Sequence, residues 1–312
     1  MVSPHNITTK LDIINPLQWV GEGDTEATPA NYGTPATNPT YQVVGNNVSI
    51  NPNIDISHVD VVGLGDENLL DMTGPVSKAY AFSIKFNPIN LTLWKYIWQA
   101  SAAGTANPRE SLSFFYSYRY NGTKYFRYIR GARPTSATLS ISRGVWDCDM
   151  TFIAKDITTQ TTTEQDPGNT PVYATSETTT APVIHTDGGA DPFTLGGVVY
   201  GERRFSITVT RGVSVMDVNG QSDVIYTKLN DRRVSWSADV YVGKSGSETA
   251  LETAFKAKTK LAMTYKFTST GPVTLTTANN VLTSYNEVFD AGNTDAVIAS
   301  ITGSSESVTN LS

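Results

Sequence analysis

Two segments of this chain, at residues 137–155 and 205–218, alternate apolar residues with small or polar ones on both sides of an Arg-Gly-Val triplet. Alternation with a period of two places one set of side chains on the buried face of a sheet and the other set on the opposite face. The glycine gives the backbone the freedom to reverse or to bulge between two strands. Each segment therefore predicts a strand, a turn or bulge and a second strand, and their similarity predicts two related lobes.

The composition is that of a β-rich chain whose surface carries few charges. Of the 312 residues, 39% are hydrophobic and 17% are charged, whereas a charged share of about 25% is typical of globular domains. Threonine, serine and asparagine must therefore provide much of the polar surface, and threonine favours strands because it is β-branched. A chain of this length has room for about two domains with a core each, and a single large β domain is the alternative.

The charge, the cysteine content and the N-terminus exclude several classes of protein. A formal net charge of −6 argues against a surface that binds the phosphates of nucleic acid. The single cysteine, Cys148, cannot form an intrachain disulfide, and its alternation with Trp146 and Met150 predicts a buried thiol. The N-terminus lacks the features of a signal peptide, and no apolar run approaches about 18 residues. We therefore expect a soluble protein that is made in the cytoplasm and contacts no membrane.

Local composition divides the chain into three regions. Residues 158–192 are rich in threonine and proline and too poor in apolar residues to build a core. We interpret them as a linker between a first lobe at residues 1–157 and a second lobe at residues 193–312. The predicted fold is mainly β, with two tandem β-sandwich or half-barrel lobes.

Each lobe is also predicted to carry one short flanking helix. The first spans residues 91–101 with Asn90 as its cap, and its apolar side chains lie on one face at helical spacing. The second spans residues 245–260, where acidic residues near the start and lysines near the end complement the helix dipole. An Asn-Gly pair at residues 121–122 lies between two alternating runs, which predicts a β-hairpin in the first lobe.

A long excursion at residues 52–78 separates two predicted strands, at residues 41–50 and 79–86. A Gly-Asn-Asn turn at residues 45–47 is predicted to interrupt the first of these strands. Loops of this length in a compact domain are usually functional or disordered, and disorder would not require so many apolar residues. We therefore predict a projecting hairpin or loop whose apolar residues become buried against another subunit. These residues are Val59, Val61, Val62, Leu64, Leu69, Leu70 and Met72.

No catalytic constellation is readable in the sequence, and we expect neither an enzyme nor a bound cofactor or metal. The three histidines, His5, His58 and His185, each lack a second ligand at a metal-binding spacing. Nucleophile motifs and phosphate-binding loops are absent from the sequence.

Two groups of acidic residues are candidates for other roles. Asp147 and Asp149 are two residues apart on a predicted strand and therefore share one face, which favours an acidic surface over a catalytic carboxylate pair. Glu22, Asp24 and Glu26 lack the spacing of a calcium loop, and we interpret them as a solvated acidic turn.

The order of these features resembles the tail-tube proteins of long-tailed phages and archaeal tailed viruses, in particular the larger forms that carry two tube lobes in tandem. The resemblance lies in five features: the Thr-Pro and Gly-Thr pairs of residues 26–34, the strand that leads into the long loop, the Asn-Gly hairpin, TSATLSISRG at residues 135–144, and RRFSITVTRGVSV at residues 203–215. It covers most of the chain.

The resemblance implies a structural virion protein, the major tail tube protein, whose lobes join edge to edge so that their inner sheets close into one barrel. Homotrimeric or hexameric rings would stack into the channel for DNA ejection, with the long loop reaching the adjacent ring and Asp147 and Asp149 facing the lumen. The implied partners are other copies of the chain, tape-measure, tail-terminator and baseplate or tip proteins, and DNA that passes without specific binding. A sheath partner stays open. The implied location is the virion tail, after assembly in the host cytoplasm.

The alternative is a two-lobe β-sandwich adhesin or carbohydrate-binding module. Trp94 and Trp98, or the tyrosine-rich hairpin around residues 121–122, would then form the sugar-stacking platform. Such a module would remain a monomer or a small oligomer, whereas a tube protein would form large assemblies.

Overall fold

A computed structural model describes residues 12–23, 32–35, 38–57, 60–62, 69–72, 77–98, 110–142, 144–158, 161–162, 171–174, 193–216, 226–242, 247–267, 274–288 and 297–308. Strands dominate this part of the chain, so the prediction of a mainly β fold is confirmed.

The strands and helices of the first half of the chain are β1 (Asp12–Gly21), β2 (Gln42–Val43), β3 (Gly45–Ser57), β4 (Asp60–Val62), β5 (Leu69–Met72), β6 (Ser77–Pro88), α1 (Thr92–Trp98), β7 (Leu112–Tyr120), β8 (Thr123–Ser142), β9 (Val145–Ala154) and β10 (Asp156–Ile157). Those of the second half are β11 (Phe193–Leu195), β12 (Val198–Tyr200), β13 (Glu202–Met216), β14 (Tyr226–Val242), α2 (Ser247–Ala257), β15 (Leu261–Lys266), β16 (Thr274–Val288) and β17 (Val297–Val308).

The Asn-Gly pair forms the hairpin that the sequence predicts. Asn121 and Gly122 have φ values of 49° and 80°, and Tyr120 pairs with Thr123 across the turn. Both residue types tolerate positive φ, which a two-residue turn between twisted strands requires. The prediction of a β7–β8 hairpin is therefore confirmed.

One antiparallel sheet contains 15 of the described strands, and β8 is the strand that connects its parts. The first part of β8 pairs with β7, whereas the second part pairs with β9 on one side and with β13 on the other. The strands continue in the order β3-β6-β9-β8-β13-β14-β17-β16. We call this run of eight strands the inner sheet.

The remaining strands of the large sheet form a second layer in each half of the chain. On one side the order is β2-β1-β7 and then the first part of β8, and on the other side it is β12-β11-β15 and then the first part of β16. The same order of strands and helix thus occurs twice, first from β1 to β9 and again from β11 to β17. The two-stranded sheet of β4 and β5 occurs in the first half.

The core consists of apolar side chains from the inner sheet, the second-layer strands and the helices. Asn90 caps α1 by accepting a hydrogen bond from the backbone N–H of Thr92 at 2.9 Å. Trp94 and Trp98 of this helix stack with ring centroids 6.3 Å apart, and both are buried. The predicted packing of the α1 apolar face on a sheet is confirmed, and neither tryptophan is available as the sugar platform of the alternative function.

The two Arg-Gly-Val triplets take different forms, and both forms were left open by the prediction of a turn or bulge between two strands. Gly144, with a φ of 82°, lies in the turn between β8 and β9. Gly212 instead lies within the continuous strand β13, where the register with β14 shifts between Arg211 and Val213. A glycine between two alternating runs permits either a reversal or a bulge, and the neighbouring strands decide which one forms.

The Gly-Asn-Asn sequence at residues 45–47 is also a bulge and not the predicted turn. The register of β3 with β6 shifts between Asn46 and Ser49, and Asn47 has a φ of 51°. Because β3 continues to Ser57 and β6 begins at Ser77, the two ends of the predicted excursion belong to a long β3–β6 hairpin.

The described part of the predicted linker packs on the first half of the chain. Val172 forms a parallel bridge with Thr40, and the Tyr173 ring stacks on Phe115 with centroids 4.1 Å apart. The backbone N–H of Ala174 donates to the side chain of Gln18 at 2.7 Å. Residues 171–174 therefore lie as a strap over a small second core around Phe115.

Candidate functional site: the outward face of the inner sheet

The side of the inner sheet that faces away from the core is lined by short polar side chains. In β13, Phe205, Ile207 and Val209 are buried, whereas the alternate residues point to the other side. We call this surface the inner-sheet face. Its serine and threonine members include Ser83, Ser136, Thr138, Ser140, Thr151, Ser206, Thr208, Ser235, Ser237, Ser300 and Thr302.

The inner-sheet face continues without interruption across the junction between the two halves of the chain. Strands β8 and β13 pair from Ser142–Arg204 to Ser136–Thr210. At this junction the hydroxyls of Thr138 and Thr208 are 2.9 Å apart and form a hydrogen bond. The polar face therefore belongs to one sheet and not to two adjoining ones.

Asp147 and Asp149 both point to the inner-sheet face, as the two-residue spacing predicts. In β9 they alternate with the buried residues Trp146, Cys148 and Met150. The Asn87 side-chain amide donates to Asp147 at 2.7 Å, and the Lys85 ammonium lies 3.1 Å from Asp149. Whether these carboxylates face a lumen stays a prediction.

A second pair of opposite charges lies on β13 and β14. Arg204 and Asp239 are directly opposite each other in the strand register, and both line the same surface groove. The Ser300 hydroxyl donates to Asp239 at 2.6 Å. The inner-sheet face thus carries carboxylates that lie beside cations or hydrogen-bond donors.

Cys148 is a buried thiol on the core side of β9, which confirms the sequence prediction. Burial raises its pKa well above the usual value for cysteine, and Asp149 and Asp147 raise it further. The thiol is therefore not ionised near neutral pH, which makes it a poor nucleophile.

The inner sheet has two open edges within the described residues. Strand β3 pairs there with β6 alone, and residues 281–288 of β16 pair with β17 alone. Pro52 within β3 fits an edge strand, because proline has no N–H to donate to a second neighbour. Ile54 of the same strand is 40% exposed.

An apolar groove of about 300 Å³ lies beside the β3 edge. Its walls come from β1, the start of β3, and β7, and Ile13 at its rim is 61% exposed. We call it the edge groove. Its apolar and aromatic lining residues are Ile13, Pro16, Leu17, Val48, Ile50, Tyr116 and Tyr118.

The junction between β8 and β13 illustrates how an edge of this sheet is covered when a neighbour is present. Trp146 of the first half lies 5.5 Å from Tyr265 and 5.0 Å from Phe267 of the second half, measured between ring centroids. The Arg232 guanidinium lies 6.0 Å from the centre of the Trp98 ring. Strand pairing at this junction is therefore accompanied by aromatic packing on the core side.

The apolar residues predicted to contact another subunit lie in or next to the small sheet of β4 and β5. Val61 and Val62 belong to β4, and Leu69, Leu70 and Met72 belong to β5, with Val61 paired with Asp71 and Val62 with Leu69. Val59 and Leu64 lie outside the described residues, and the structure does not describe the side chains of the other five. A hairpin is thus present at this place, while its contact role stays a prediction.

The interpretation of Glu22 as part of a solvated acidic turn is wrong. The structure shows a buried carboxylate at this position, which the sequence analysis did not predict. Its side chain is 2% exposed. It accepts hydrogen bonds from the hydroxyls of Ser111 and Ser113, the latter at 2.6 Å, and from the N–H groups of Gly33 at 2.6 Å and Gly131 at 2.8 Å. Asp24 and Glu26 lie outside the described residues.

Both glycines have positive φ values, 77° at Gly33 and 64° at Gly131, which favour glycine over other residues. A Cβ atom on either residue would approach the Lys155 side chain to 2.6 Å. The sequence signal for this site was the glycine of the Gly-Thr pair. The other three donors to Glu22, which are Ser111, Ser113 and Gly131, lie about 90 to 110 residues away in the chain, so their contact with Glu22 is not readable from local pattern.

Within the described ranges, no group of three or more histidine, cysteine, aspartate or glutamate side chains could hold a metal ion. The three histidines lie outside those ranges. Neither of the two helices described above has the length and apolar character needed to span a bilayer.

Comparison with known families gives one match. A family model described as phage tail tube protein matches residues 23–305, which is most of the chain. A comparison with curated proteins gives no match.

Proposed function

Because the chain belongs to the phage tail tube protein family, we propose that its copies join side by side into rings, that the rings stack head to tail, and that the viral DNA leaves the particle through the resulting channel. Membership of the family makes the protein a structural component of the virion tail that assembles into a tube with other tail proteins. The further proposal is that it is the major tube subunit.

The observation that carries the ring proposal is the pair of open edges of the inner sheet. All neighbours in this sheet are antiparallel. Because the number of strands is even, the two edge strands, β3 and β16, run in opposite directions. The β16 edge of one copy can therefore join the β3 edge of the next copy in the same antiparallel manner, and closure removes edges that would otherwise pair without control.

The junction of β8 and β13 supports this contact as an internal example. There two edges pair and aromatic side chains pack beneath them, as described for Trp146 and Tyr265. In the proposed ring, the second half of one copy would cover the edge groove of the next copy in a comparable way. The exposed apolar side chains of Ile13 and Ile54 would then become buried.

The repeated strand order supports a division into two lobes, at residues 1–157 and 193–312, with residues 158–192 between them. Two lobes in each chain make a trimer the favoured ring, because three copies supply six lobes. Such a ring would contain 24 inner strands, eight from each chain. A hexamer is the alternative ring.

For stacking, we propose that the β4–β5 hairpin, within the long loop at residues 52–78, contacts the adjacent ring. It is a separate two-stranded sheet at the far end of the β3–β6 hairpin. A head-to-tail contact of this kind does not close on itself and therefore produces a filament. The proposed partners of this filament are tape-measure, tail-terminator and baseplate or tip proteins. Assembly is proposed to take place in the host cytoplasm.

We propose that Asp147 and Asp149 line the lumen, because the inner-sheet face is the inner wall of a barrel closed in this way. DNA is the proposed passing ligand, and the wall offers it hydroxyl groups instead of stacking platforms. A surface of this kind gives a polyanion few sites to adhere to.

Negative-stain electron microscopy of the purified protein tests the proposal. We expect hollow rods built from stacked rings. The Ile54→Lys variant should remain folded but form no rods, because a lysine on the β3 edge would be buried at the contact with the next copy. Val199→Lys is the matched control, since Val199 is 54% exposed but lies in β12, away from the inner-sheet edges.

Rods from Ile54→Lys in the same yield as from the control would contradict the edge contact. A wild-type protein that stays monomeric at high concentration would contradict the whole proposal.

A further inference from the structure

We propose that Asp149 and Asp239 neutralise Lys85 and Arg204 on the inner-sheet face, and that this local pairing keeps the face from binding DNA. The proposal rests on the proposed function, in which this face lines a DNA channel. It differs from a wall that repels DNA by a general excess of negative charge, because the low adhesion depends on particular carboxylates beside particular cations.

The first pair is formed across β6 and β9. Lys85 and Asp149 are partners in the strand register, and their charged atoms are 3.1 Å apart. The Lys85 side chain is 69% exposed, so its ammonium would be accessible to a phosphate in the lumen if Asp149 did not hold it. Both residues line one groove on the inner-sheet face.

The second pairing, of Arg204 with Asp239, is inferred from the register of β13 and β14 and not from an ion pair such as that of Lys85 and Asp149. Arg204 and Asp239 are opposite in register, which places their Cβ atoms about 5 Å apart. The Ser300 hydroxyl from β17 donates to Asp239 and keeps its carboxylate at the face. Arginine is the side chain best suited to bind a phosphate with two hydrogen bonds, so an adjacent carboxylate is most consequential here.

Asp147 differs from these two carboxylates because its partner is uncharged. It accepts a hydrogen bond from the Asn87 amide, so its removal frees no cation. This difference makes Asp147 an internal comparison on the same strand as Asp149 and on the same face.

The physical reason for the expected effect is counterion release. A cation that contacts a DNA phosphate releases a condensed counterion, and each such contact adds about 0.9 to the slope of log affinity against log salt concentration. A cation already paired with a carboxylate gains little from the exchange. Loss of the carboxylate converts the same side chain into a phosphate contact, and the ring symmetry repeats that contact around the lumen.

The test uses tubes assembled from the purified full-length protein and a short DNA duplex, with the retained DNA measured after the tubes are sedimented. Wild-type tubes should retain almost no duplex. Tubes of the double variant Asp149→Asn, Asp239→Asn should retain the duplex at low salt. The amount of retained DNA should fall about tenfold between about 50 and about 200 mM salt. Adding Lys85→Gln and Arg204→Gln to the double variant should abolish the retention.

Two controls separate this effect from a general change of charge. Glu252→Gln frees Lys256 from an exposed ion pair on α2 at 2.5 Å, away from the inner-sheet face, and should leave retention at the wild-type level. Asp147→Asn should also leave it unchanged.

Tubes of the double variant that retain no more DNA than wild-type tubes would overturn the inference, and so would equal retention by the Glu252→Gln tubes. Failure of the wild-type protein to form tubes would instead refute the proposed function, so the two failures are distinguishable.

Discussion

At the scale of single residues, Glu22 is a buried carboxylate with four hydrogen-bond donors. Its carboxylate accepts hydrogen bonds from Gly33, Ser111, Ser113 and Gly131. These donors belong to the segment before β2, to the start of β7 and to the bend within β8. A buried carboxylate without such donors would be strongly destabilising, so this residue joins the three segments that supply them.

The pKa of Glu22 gives a testable pH dependence. Burial raises it above the usual value for glutamate, and the four hydrogen bonds oppose this shift without cancelling it. A carboxyl group whose pKa is higher in the folded state contributes most stability below the pKa of the unfolded state, and loses that contribution as the pH rises through the folded value. Glutamine at this position does not titrate.

We therefore expect the wild-type free energy of unfolding, minus that of Glu22→Gln, to decrease as the pH rises above about 4.5. Urea unfolding at several pH values measures this difference, with both proteins carrying the Ile54→Lys substitution that prevents assembly. The control is Glu252→Gln on α2, which should change stability by less than about 0.5 kcal/mol. A difference for Glu22→Gln that is constant over this pH range would contradict the assignment.

At the scale of elements, β8 organises the chain because it belongs to both layers. Its first part pairs with β7 and its second part pairs with β9 and β13. Gly131 lies at the change between the two parts and has a positive φ. Because of this bend, β8 begins in the second layer and ends in the inner sheet. The two halves of the chain therefore share one continuous sheet surface.

The aromatic packing beneath the β8–β13 junction predicts a large effect of one substitution. Trp146 is fully buried and packs on Tyr265 and Phe267 from the other half of the chain. Trp146→Ala should lower the free energy of unfolding by about 3–5 kcal/mol, because it leaves a cavity at this contact. Chemical denaturation of the non-assembling Ile54→Lys background measures this change.

Tyr120→Ala is the control for that experiment. Tyr120 is 43% exposed at the end of β7, and its truncation should cost far less than that of Trp146. Equal losses in the two variants would mean that the junction contributes little to stability.

At the scale of the whole molecule, the inner sheet is unfinished at both edges in the described residues, while the apolar edge groove lies open beside one of them. Exposed edges and apolar grooves are normally covered. In the proposed ring, neighbouring copies cover both. The stability of the protein should then be linked to its concentration, as in other assemblies whose folded form binds itself.

We expect the melting temperature of the wild-type protein to rise with protein concentration, and that of Ile54→Lys to stay constant. Differential scanning calorimetry over a range of concentrations measures both. A wild-type melting temperature that does not change with concentration would show that the chain is complete by itself.

The sequence determined the local elements of this protein. Alternation predicted the strands of the inner sheet, the Asn121-Gly122 pair predicted the β7–β8 hairpin, and the spacing of Asp147 and Asp149 placed them on one face. These features depend on side chains that are neighbours in the chain, and a period of two or a positive φ is readable there. The order of these features also led to the family.

Tertiary structure decided what depends on distant partners. The two Arg-Gly-Val triplets look alike in sequence, but Gly144 lies in the turn between β8 and β9, whereas Gly212 lies within β13, which pairs with β14 on both sides of a register shift. Glu22 was interpreted as a solvated acid but is buried, and three of its four donors come from segments far along the chain. The ion pair of Lys85 and Asp149 depends on the register of β6 with β9, which no local pattern specifies.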